Sequence, residues 1–278
     1  MIAMTAAEAA KHLRSLGYAS EFMVLGARSV AEVHADRIVL RTPEQPDFWF
    51  GNMVIFRGEP SDPSAVIAQF QRDHSEAEHV TLGWDDTDMA RWKEIAVLEA
   101  MGFTIDETEV LALEGRETHF DLPDGLTAGA ISGDSDWAQV TGLQTDTGVE
   151  LGYLREKHAP FIAQRVGEWR RATEEGRGAW FGAFDGAQLV ADLGIFTDGR
   201  VARFQSVETR QSHRGRGICP ALITRALAWV QSVAPDAIPV ILADQNEVAG
   251  RIYRRCGFTP KEGLIAAYRA PEGYRAGQ

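Results

Sequence analysis

The sequence predicts a mixed α+β fold with two related halves, each a mixed, mostly antiparallel sheet flanked by helices. The first observation is the order of apolar segments in the second half, where hairpin-like strands alternate with helices. The second is an internal repeat, since residues 91–113 and 246–268 each contain a helical segment, then Gly-Phe-Thr, then an apolar strand. The third is a hinge-like stretch at 115–130, which has no helical period. We therefore predict a first domain over residues 1–121 and a second over residues 122–278.

The elements of the second half follow from local patterns. Residues 126–131 predict a short strand, and helical segments follow near 135–146 and 152–172. Asp185-Gly186 separates two apolar runs, which is typical of a hairpin turn. The remaining strands are expected at 200–207, 238–244 and 263–269. One remaining helix is expected between the first two of these strands, with Pro220 in its first turn, and the other at 246–256.

Composition excludes several classes of protein. The formal net charge of −12 repels nucleic acid phosphates but is compatible with a cationic substrate such as an amine. No apolar run approaches the roughly 18 residues that cross a membrane. Two cysteines are too few for a disulfide framework. We expect a cytoplasmic protein with no nucleic acid or membrane partner and no metal, and we interpret the histidines and carboxylates of 73–79 as a solvated loop.

The stretch SHRGRGICP, residues 212–220, places two arginines and two glycines directly before a predicted helix. A helix N-terminus has unpaired backbone N–H groups and a partial positive charge, and glycine lets a ligand approach them closely. This pattern is suited to a phosphate site, although a polar turn that needs glycine is the favoured interpretation of the stretch taken alone. The spacing fits neither a P-loop nor a dinucleotide-binding fingerprint.

Two motifs in order carry a resemblance to a known family. Residues 214–219 resemble the Arg/Gln-x-x-Gly-x-Gly/Ala motif of the GNAT family of acyl-CoA N-acyltransferases. Residues 246–258 resemble its second signature, through Asn246, Ala249, Tyr253 and Gly257-Phe258. The resemblance covers residues 124 to 275, and Cys219 departs from it because the family has Gly or Ala there.

The resemblance implies roles in binding acetyl-CoA or another acyl-CoA as co-substrate. Backbone groups of Val207 and Thr209 would pair with the pantetheine arm like an added strand. Asn246 would contact the cofactor or order the neighbouring loop. The CoA pyrophosphate would be held by backbone N–H groups and two guanidinium groups of one loop, formed by Arg214, Gly215, Arg216, Gly217, Ile218 and Cys219.

The resemblance also implies that Tyr253 protonates the departing thiolate, while N–H groups near Val207 stabilise the tetrahedral oxyanion. An ordinary core tyrosine is the alternative for Tyr253. Glu208 is a candidate general base, although a solvated edge carboxylate is the favoured interpretation. Asp192 and Glu150 are no better supported as bases.

The first half lacks the corresponding chemistry. In the repeat Tyr253 aligns with Leu98 and Asn246 with Arg91, and the region before the matching helix carries Glu59 and Asp62 and has no Gly-x-Gly. We therefore expect a degenerate GNAT-like first domain that packs against the second and helps to shape the substrate cleft, with an unrelated α+β domain as the alternative. Because tandem halves can bury the surface that single domains use to dimerise, we expect a monomer, with a dimer as the alternative.

The expected function is an acetyl-CoA-dependent N-acetyltransferase that acts by direct transfer on a small-molecule or peptide amine. A non-catalytic acyl-CoA-binding sensor is the alternative. The acceptor pocket would be built from the helices at 135–172, whose sequence does not identify the amine.

Overall fold

The computed structural model describes residues 2–25, 29–58, 62–87, 94–244 and 248–271. The chain divides into two compact units. The first contains residues 1–111, 242–250 and 260–274, and the second contains residues 112–241, 251–259 and 275–278. The predicted boundary between residues 121 and 122 stays a prediction. Elements that span a division are assigned below to the unit that holds most of their residues.

The first unit is a mixed sheet with helices. Its strands are β1 Ile2–Thr5, β2 Val30–Val33, β3 Arg37–Arg41, β4 Met53–Phe56, β5 Val80–Trp84, β6 Thr104–Ala112 and the last strand of the chain, β12 Thr259–Arg269. Its helices are α1 Ala6–Ala9, α2 Leu16–Val24, α3 Pro63–Asp73 and α4 Ile95–Ala100. The strand order is β1-β2-β3-β4-β5-β12-β6. Strands β1 to β4 pair antiparallel, and β4 pairs parallel to β5.

The second unit has the same kind of layout. Its strands are β7 Leu126–Ala130, β8 Gly178–Asp185, β9 Gln188–Thr197, β10 Val201–Thr209 and β11 Ile238–Asp244. Its helices are α5 Gly133–Glu150, α6 Arg155–Glu174, α7 Ile218–Val233 and α8 Val248–Arg255. The strand order is β11-β10-β9-β8-β7, with β7 to β10 antiparallel and β10 parallel to β11. The α+β fold with mostly antiparallel pairing is therefore confirmed.

Both units change from antiparallel to parallel pairing at one crossover. In the first unit β4 passes through α3 to β5, and in the second β10 passes through α7 to β11. A parallel pair needs a crossover connection, which is usually a helix. The start of the crossover helix lies at equivalent positions of the two units, so the two starts can be compared directly.

The last strand joins the sheet of the first unit. Strand β12 pairs antiparallel with β5, with Ala266 opposite Gly83 and Arg269 opposite Val80, and it lies between β5 and β6. Leu264, Ile265 and Ala267 are buried. A continuous apolar run is typical of a strand that is covered on both faces in the middle of a sheet.

The segment at 73–79 differs from the solvated loop that its composition predicts. His74 and His79 are 9% and 4% exposed. His74 Nε2 lies 3.4 Å from the backbone oxygen of Met53, and His79 Nε2 lies 2.9 Å from that of Asn52. The expectation is wrong for the two histidines, because both rings lie against Phe70 in the core, where hydrogen-bonded histidine is tolerated. Glu76 and Glu78 of the same loop are exposed, as expected. Across the described ranges, no group of three or more His, Cys, Asp or Glu could hold a metal ion.

None of the helices in the described ranges is both long enough and apolar enough to span a membrane.

Candidate functional site

Strand β10 is distorted where it approaches the predicted site. Its register with β9 shifts between Gln205 and Glu208. Ser206, inside this bulge, has a φ of +48°, in the left-handed region that L-residues other than glycine rarely adopt. The parallel register with β11 runs over Val201–Arg203, before the bulge. The bulge therefore reorients the backbone of β10 directly before Val207 and Thr209, the residues predicted to pair with pantetheine.

The loop after β10 leads into α7 through two left-handed glycines. Gly215 and Gly217 have φ values of +75° and +85°. An added Cβ would meet no protein atom within 4 Å at either glycine. Glycine is therefore required here by the backbone conformation and not by crowding within the protein.

The N-terminus of α7 is open to an anion. Gly217 is its N-cap, and this residue supplies no side-chain cap to the helix. Pro220, in the first helical turn, has no N–H to satisfy. The N–H groups of Ile218 and Cys219 remain at the helix start, where the helix dipole favours negative charge. The predicted pyrophosphate seat thus has the geometry of an anion site.

The two arginines of the loop differ in their partners. Arg214 Nε donates to the backbone oxygen of Thr209 at 2.9 Å, and Arg214 Nη2 donates to Glu150 Oε2 at 2.7 Å. Arg216 is exposed. Arg214 therefore joins the end of β10 to the loop and to the C-terminal end of α5. Its guanidinium, which was predicted to bind phosphate, is paired with Glu150.

A buried carboxylate lies beneath the bulge. Asp192 is fully buried and accepts hydrogen bonds from Trp180 Nε1 at 2.9 Å and Gln144 Nε2 at 3.0 Å. Gln144 Nε2 also donates to the backbone oxygen of Ser206 at 3.1 Å. Burial raises the pKa of Asp192 well above its usual value, the Glu208 carboxylate raises it further, and the two N–H donors lower it. Glu208 is half-buried and lies opposite Asp192 across the two strands.

Tyr253 lies on α8 and is 6% exposed. Gly257, with a φ of +103°, follows the end of the helix, and the Phe258 N–H donates to the backbone oxygen of Tyr253 at 3.2 Å. This is the C-terminal glycine turn that the second motif predicts. The burial of Tyr253 suits either a proton donor in a dry site or a core tyrosine, and its role stays a prediction. Asn246 lies outside the described residues.

The thiol of Cys219 is not activated. Burial raises the pKa of Cys219 to about 12, and the Cys256 and Glu208 side chains raise it further. Burial also raises the pKa of Cys256 to about 11. A nucleophilic cysteine needs a lowered pKa, so Cys219 acts here as a small residue at the helix start.

The equivalent helix start in the first unit is closed. Helix α3 begins at Pro63, and its N-cap Asp62 accepts a hydrogen bond from the Ser64 N–H at 3.0 Å. Leu98, which aligns with Tyr253, is 1% exposed in the core. A carboxylate therefore occupies the end of α3 where an anion would have to bind. Glu59 and Arg91 lie outside the described residues.

The structure thus brings together Thr209, Arg214 and the glycine loop, and it adds a network that the sequence prediction did not contain. Gln144 carried one signal, since it repeats at helical spacing with the buried Trp137, Val140 and Thr147 and is polar on an apolar face. The sequence around Ser206 gives no comparable signal, because the bulge depends on the register between strands.

A sequence model of the acetyltransferase (GNAT) family matches residues 148–258. No curated protein sequence matches the chain significantly.

Several solved structures share the fold over most of the chain. A functionally unknown conserved protein from Staphylococcus epidermidis matches with a TM-score of 0.68 and 14% identity, over 86% of this chain and 92% of that one. A GCN5-related N-acetyltransferase from Kribbella flavida matches with a TM-score of 0.59 and 21% identity, over 88% and 90%. A tandem GNAT protein from the clavulanic acid biosynthesis pathway matches with a TM-score of 0.57 and 14% identity, over 98% and 94%.

The family match covers both motifs, from the C-terminal end of α5 to Phe258. At these identities the solved structures indicate the fold. The chain therefore contains a domain of the acetyltransferase (GNAT) family at residues 148–258 and folds like solved GNAT proteins.

Proposed function

We propose that this protein is an acetyl-CoA-dependent N-acetyltransferase that transfers the acetyl group directly to a small-molecule or peptide amine. The observation that carries the proposal is the start of α7, where two left-handed glycines lead into a helix whose N-terminus has no side-chain cap among the described residues. The first unit supports it by contrast, since Asp62 fills the same position there. The first unit is, in this proposal, a degenerate copy without cofactor chemistry.

The residues of the second unit fit an acyl-CoA. The N–H groups of Ile218 and Cys219 would bind the pyrophosphate, and the exposed guanidinium of Arg216 would add positive charge. The space around Gly215 and Gly217 would let phosphate oxygens approach the backbone. Backbone groups of Val207 and Thr209 would pair with the pantetheine arm.

Acetyl transfer to an amine needs two further groups from this chain, an oxyanion donor and a proton donor. Acetyl-CoA supplies an acetyl thioester whose carbonyl carbon an amine can attack, with release of the CoA thiol. Backbone N–H groups beside the bulge, near Val207, would stabilise the negative oxygen of the tetrahedral intermediate. The Tyr253 hydroxyl would deliver a proton to the departing sulfur, and the proton lost by the amine would pass to solvent or to Glu208.

A sensor that binds acyl-CoA without catalysis is the second candidate. The observation that favours it is the burial of Tyr253, which is 6% exposed and suits a core role as well as a catalytic one. The carboxylate of Asp62 at the start of α3 also supports this candidate, because it is consistent with one copy of the fold that lacks cofactor chemistry.

Thermal shift measurements with CoA, acetyl-CoA and ATP test whether the seat binds CoA. We expect CoA and acetyl-CoA to raise the melting temperature, because a ligand that binds the folded state stabilises it. Stabilisation by ATP alone, or by none of the three, would contradict both candidates.

Tyr253→Phe separates the enzyme from the sensor. We expect acetyl transfer to a panel of amines in the wild type and a fall of about 10²–10⁴-fold in kcat in the variant, with CoA affinity retained. Phenylalanine keeps the apolar body of a buried side chain, so the folded state should survive. An unchanged kcat would rule out Tyr253 as the acid, and CoA binding without transfer to any amine would favour the sensor.

A further inference from the structure

Residue Ser206 is held in an unfavourable conformation by a side chain from another element. Its φ of +48° costs free energy for a serine and persists only where the surroundings impose it. Its backbone oxygen accepts a hydrogen bond at 3.1 Å from Gln144, which is 62 positions earlier in the chain, on α5. The bulge is therefore hydrogen-bonded to α5 as well as paired within the sheet.

The Gln144 amide has a single orientation that fits its partners. Its Nε2 donates to Asp192 Oδ1 at 3.0 Å and to the Ser206 oxygen at 3.1 Å, which uses both hydrogens of the amide. A reversed amide would place its oxygen against a carboxylate and a carbonyl. Asp192 in turn is fixed by the Trp180 indole N–H at 2.9 Å, and Gln144 and Asp192 are both buried.

We propose that Gln144 is a positioning residue for acyl transfer, which holds the β10 bulge in place through the Ser206 carbonyl while Asp192 and Trp180 orient its amide. This inference rests on the proposed function for its effect on turnover. The Val207 N–H follows directly after Ser206, so the bulge sets the direction of the donor assigned to the oxyanion. Gln144 bonds to Asp192 and to the backbone of Ser206, and its proposed effect is therefore on the placement of that donor.

Three variants test the proposal. Gln144→Met keeps the length of the side chain and removes both hydrogen bonds. Gln144→Asn keeps an amide but is one methylene shorter, so it cannot reach both acceptors. Thr145→Val is the matched control, because Thr145 is the next residue of the same helix, is 4% exposed and donates its hydroxyl hydrogen within α5, to the Thr141 oxygen at 2.7 Å.

We expect a kcat loss of about 10²-fold in Gln144→Met, because a misplaced oxyanion donor is costly, and a smaller loss in Gln144→Asn. The Kd for CoA should change by less than about threefold in both, since the pyrophosphate seat is made by the loop and α7. Thr145→Val should retain wild-type kcat. A wild-type kcat in Gln144→Met, or an equal loss in Thr145→Val, would overturn the proposal.

Hydrogen exchange at residues 206–208 provides a readout that does not depend on activity. We expect these amides to exchange faster in Gln144→Met and Gln144→Asn than in the wild type and Thr145→Val. If the wild type binds no CoA and transfers no acetyl group, the proposed function fails, and the exchange rates still decide whether Gln144 holds the bulge. Unchanged exchange in both Gln144 variants would overturn the positioning role itself.

Discussion

Gly217 and Gly199 have nearly the same φ angle but lie in different parts of the second unit. Their φ values are +85° and +86°, and an added Cβ would meet no protein atom within 4 Å at either position. Gly217 precedes α7, whereas Gly199 lies in the turn between β9 and β10. Substitutions at the two glycines therefore distinguish the effect of backbone strain from the effect of a lost ligand contact.

We expect Gly217→Ala to raise the Kd for CoA by about tenfold or more, because a Cβ would stand where phosphate oxygens approach the backbone. Gly199→Ala should carry a similar strain, about 1–2 kcal/mol, without any change in Kd. Calorimetric titration with CoA and thermal unfolding of both variants measure the two effects. Equal Kd values for the two variants would mean that Gly217 does not line the seat.

Glu150 limits the charge that Arg214 can offer to a phosphate. The two side chains are 35% and 47% exposed, and their ion pair is 2.7 Å long. Exposed pairs are worth at most about 1 kcal/mol, so their competition with a ligand is modest.

We expect Glu150→Gln to lower the Kd for CoA by about two- to fivefold at low salt, with the gain largely lost at about 0.5 M salt. Glu175→Gln, which removes the partner of the exposed Arg177, is the control. A higher Kd in Glu150→Gln would show that Glu150 helps to orient Arg214 toward the ligand instead of competing for it.

The residues of the candidate site differ in how far the sequence predicts them. The glycine loop lies in one contiguous stretch, so its composition and the helix that follows it are visible together. The contact between Gln144, Asp192 and Ser206 joins three segments that are far apart in sequence. It depends on a strand register, which local patterns do not determine.

At the scale of elements, α3 and α7 show how one crossover helix can either close or open an anion site. Asp62 satisfies a backbone N–H of α3, whereas Gly217 offers α7 no side chain. Helix α3 also ends at a buried histidine, His74, which stacks on Phe70 with 4.8 Å between ring centroids. Because His74 is buried at this end of α3, we expect the free energy of unfolding of the first unit to depend on pH.

Burial, followed by the Arg41 charge, lowers the pKa of His74 to about 4 from an unfolded value of 6.5. Burial also lowers the pKa of His79. Between pH 6.5 and about 4 the unfolded chain therefore binds protons that the folded chain does not. The free energy of unfolding falls as the pH falls through this window, by up to about 3 kcal/mol for His74.

His74→Gln should make this fall shallower, because a neutral amide gains no charge on unfolding at low pH. Urea unfolding between about pH 7.5 and 5 measures the difference, with His119→Asn at an exposed histidine as the control. An identical pH dependence in wild type and His74→Gln would contradict the account.

The elements that follow residue 122 are largely predictable, because apolar runs separated by turn signals such as Asp185-Gly186 mark them. Strand β12, for example, was expected over 263–269 and extends over 259–269. Its place beside β5 was not predictable, since the two strands lie far apart in the sequence. Pairing partners depend on contacts between distant segments, which periodicity does not report.

At the scale of the whole molecule, the central claim is that the chain has one cofactor seat and not two. The two units share a crossover helix between parallel strands, and the start of that helix carries Asp62 in α3 and Gly217 in α7. Asp62→Ala should therefore lower stability by about 1 kcal/mol through loss of the N-cap without creating a second seat, because residues 56–63 contain no counterpart of the Gly-x-Gly at 215–217.

Calorimetric titration of the full chain with CoA tests this claim most directly. The account predicts one CoA per chain, a Kd raised at least about tenfold by Gly217→Ala, and a Kd unchanged by Asp62→Ala. Two CoA per chain, no binding at all, or a loss of affinity in Asp62→Ala as large as in Gly217→Ala would contradict it.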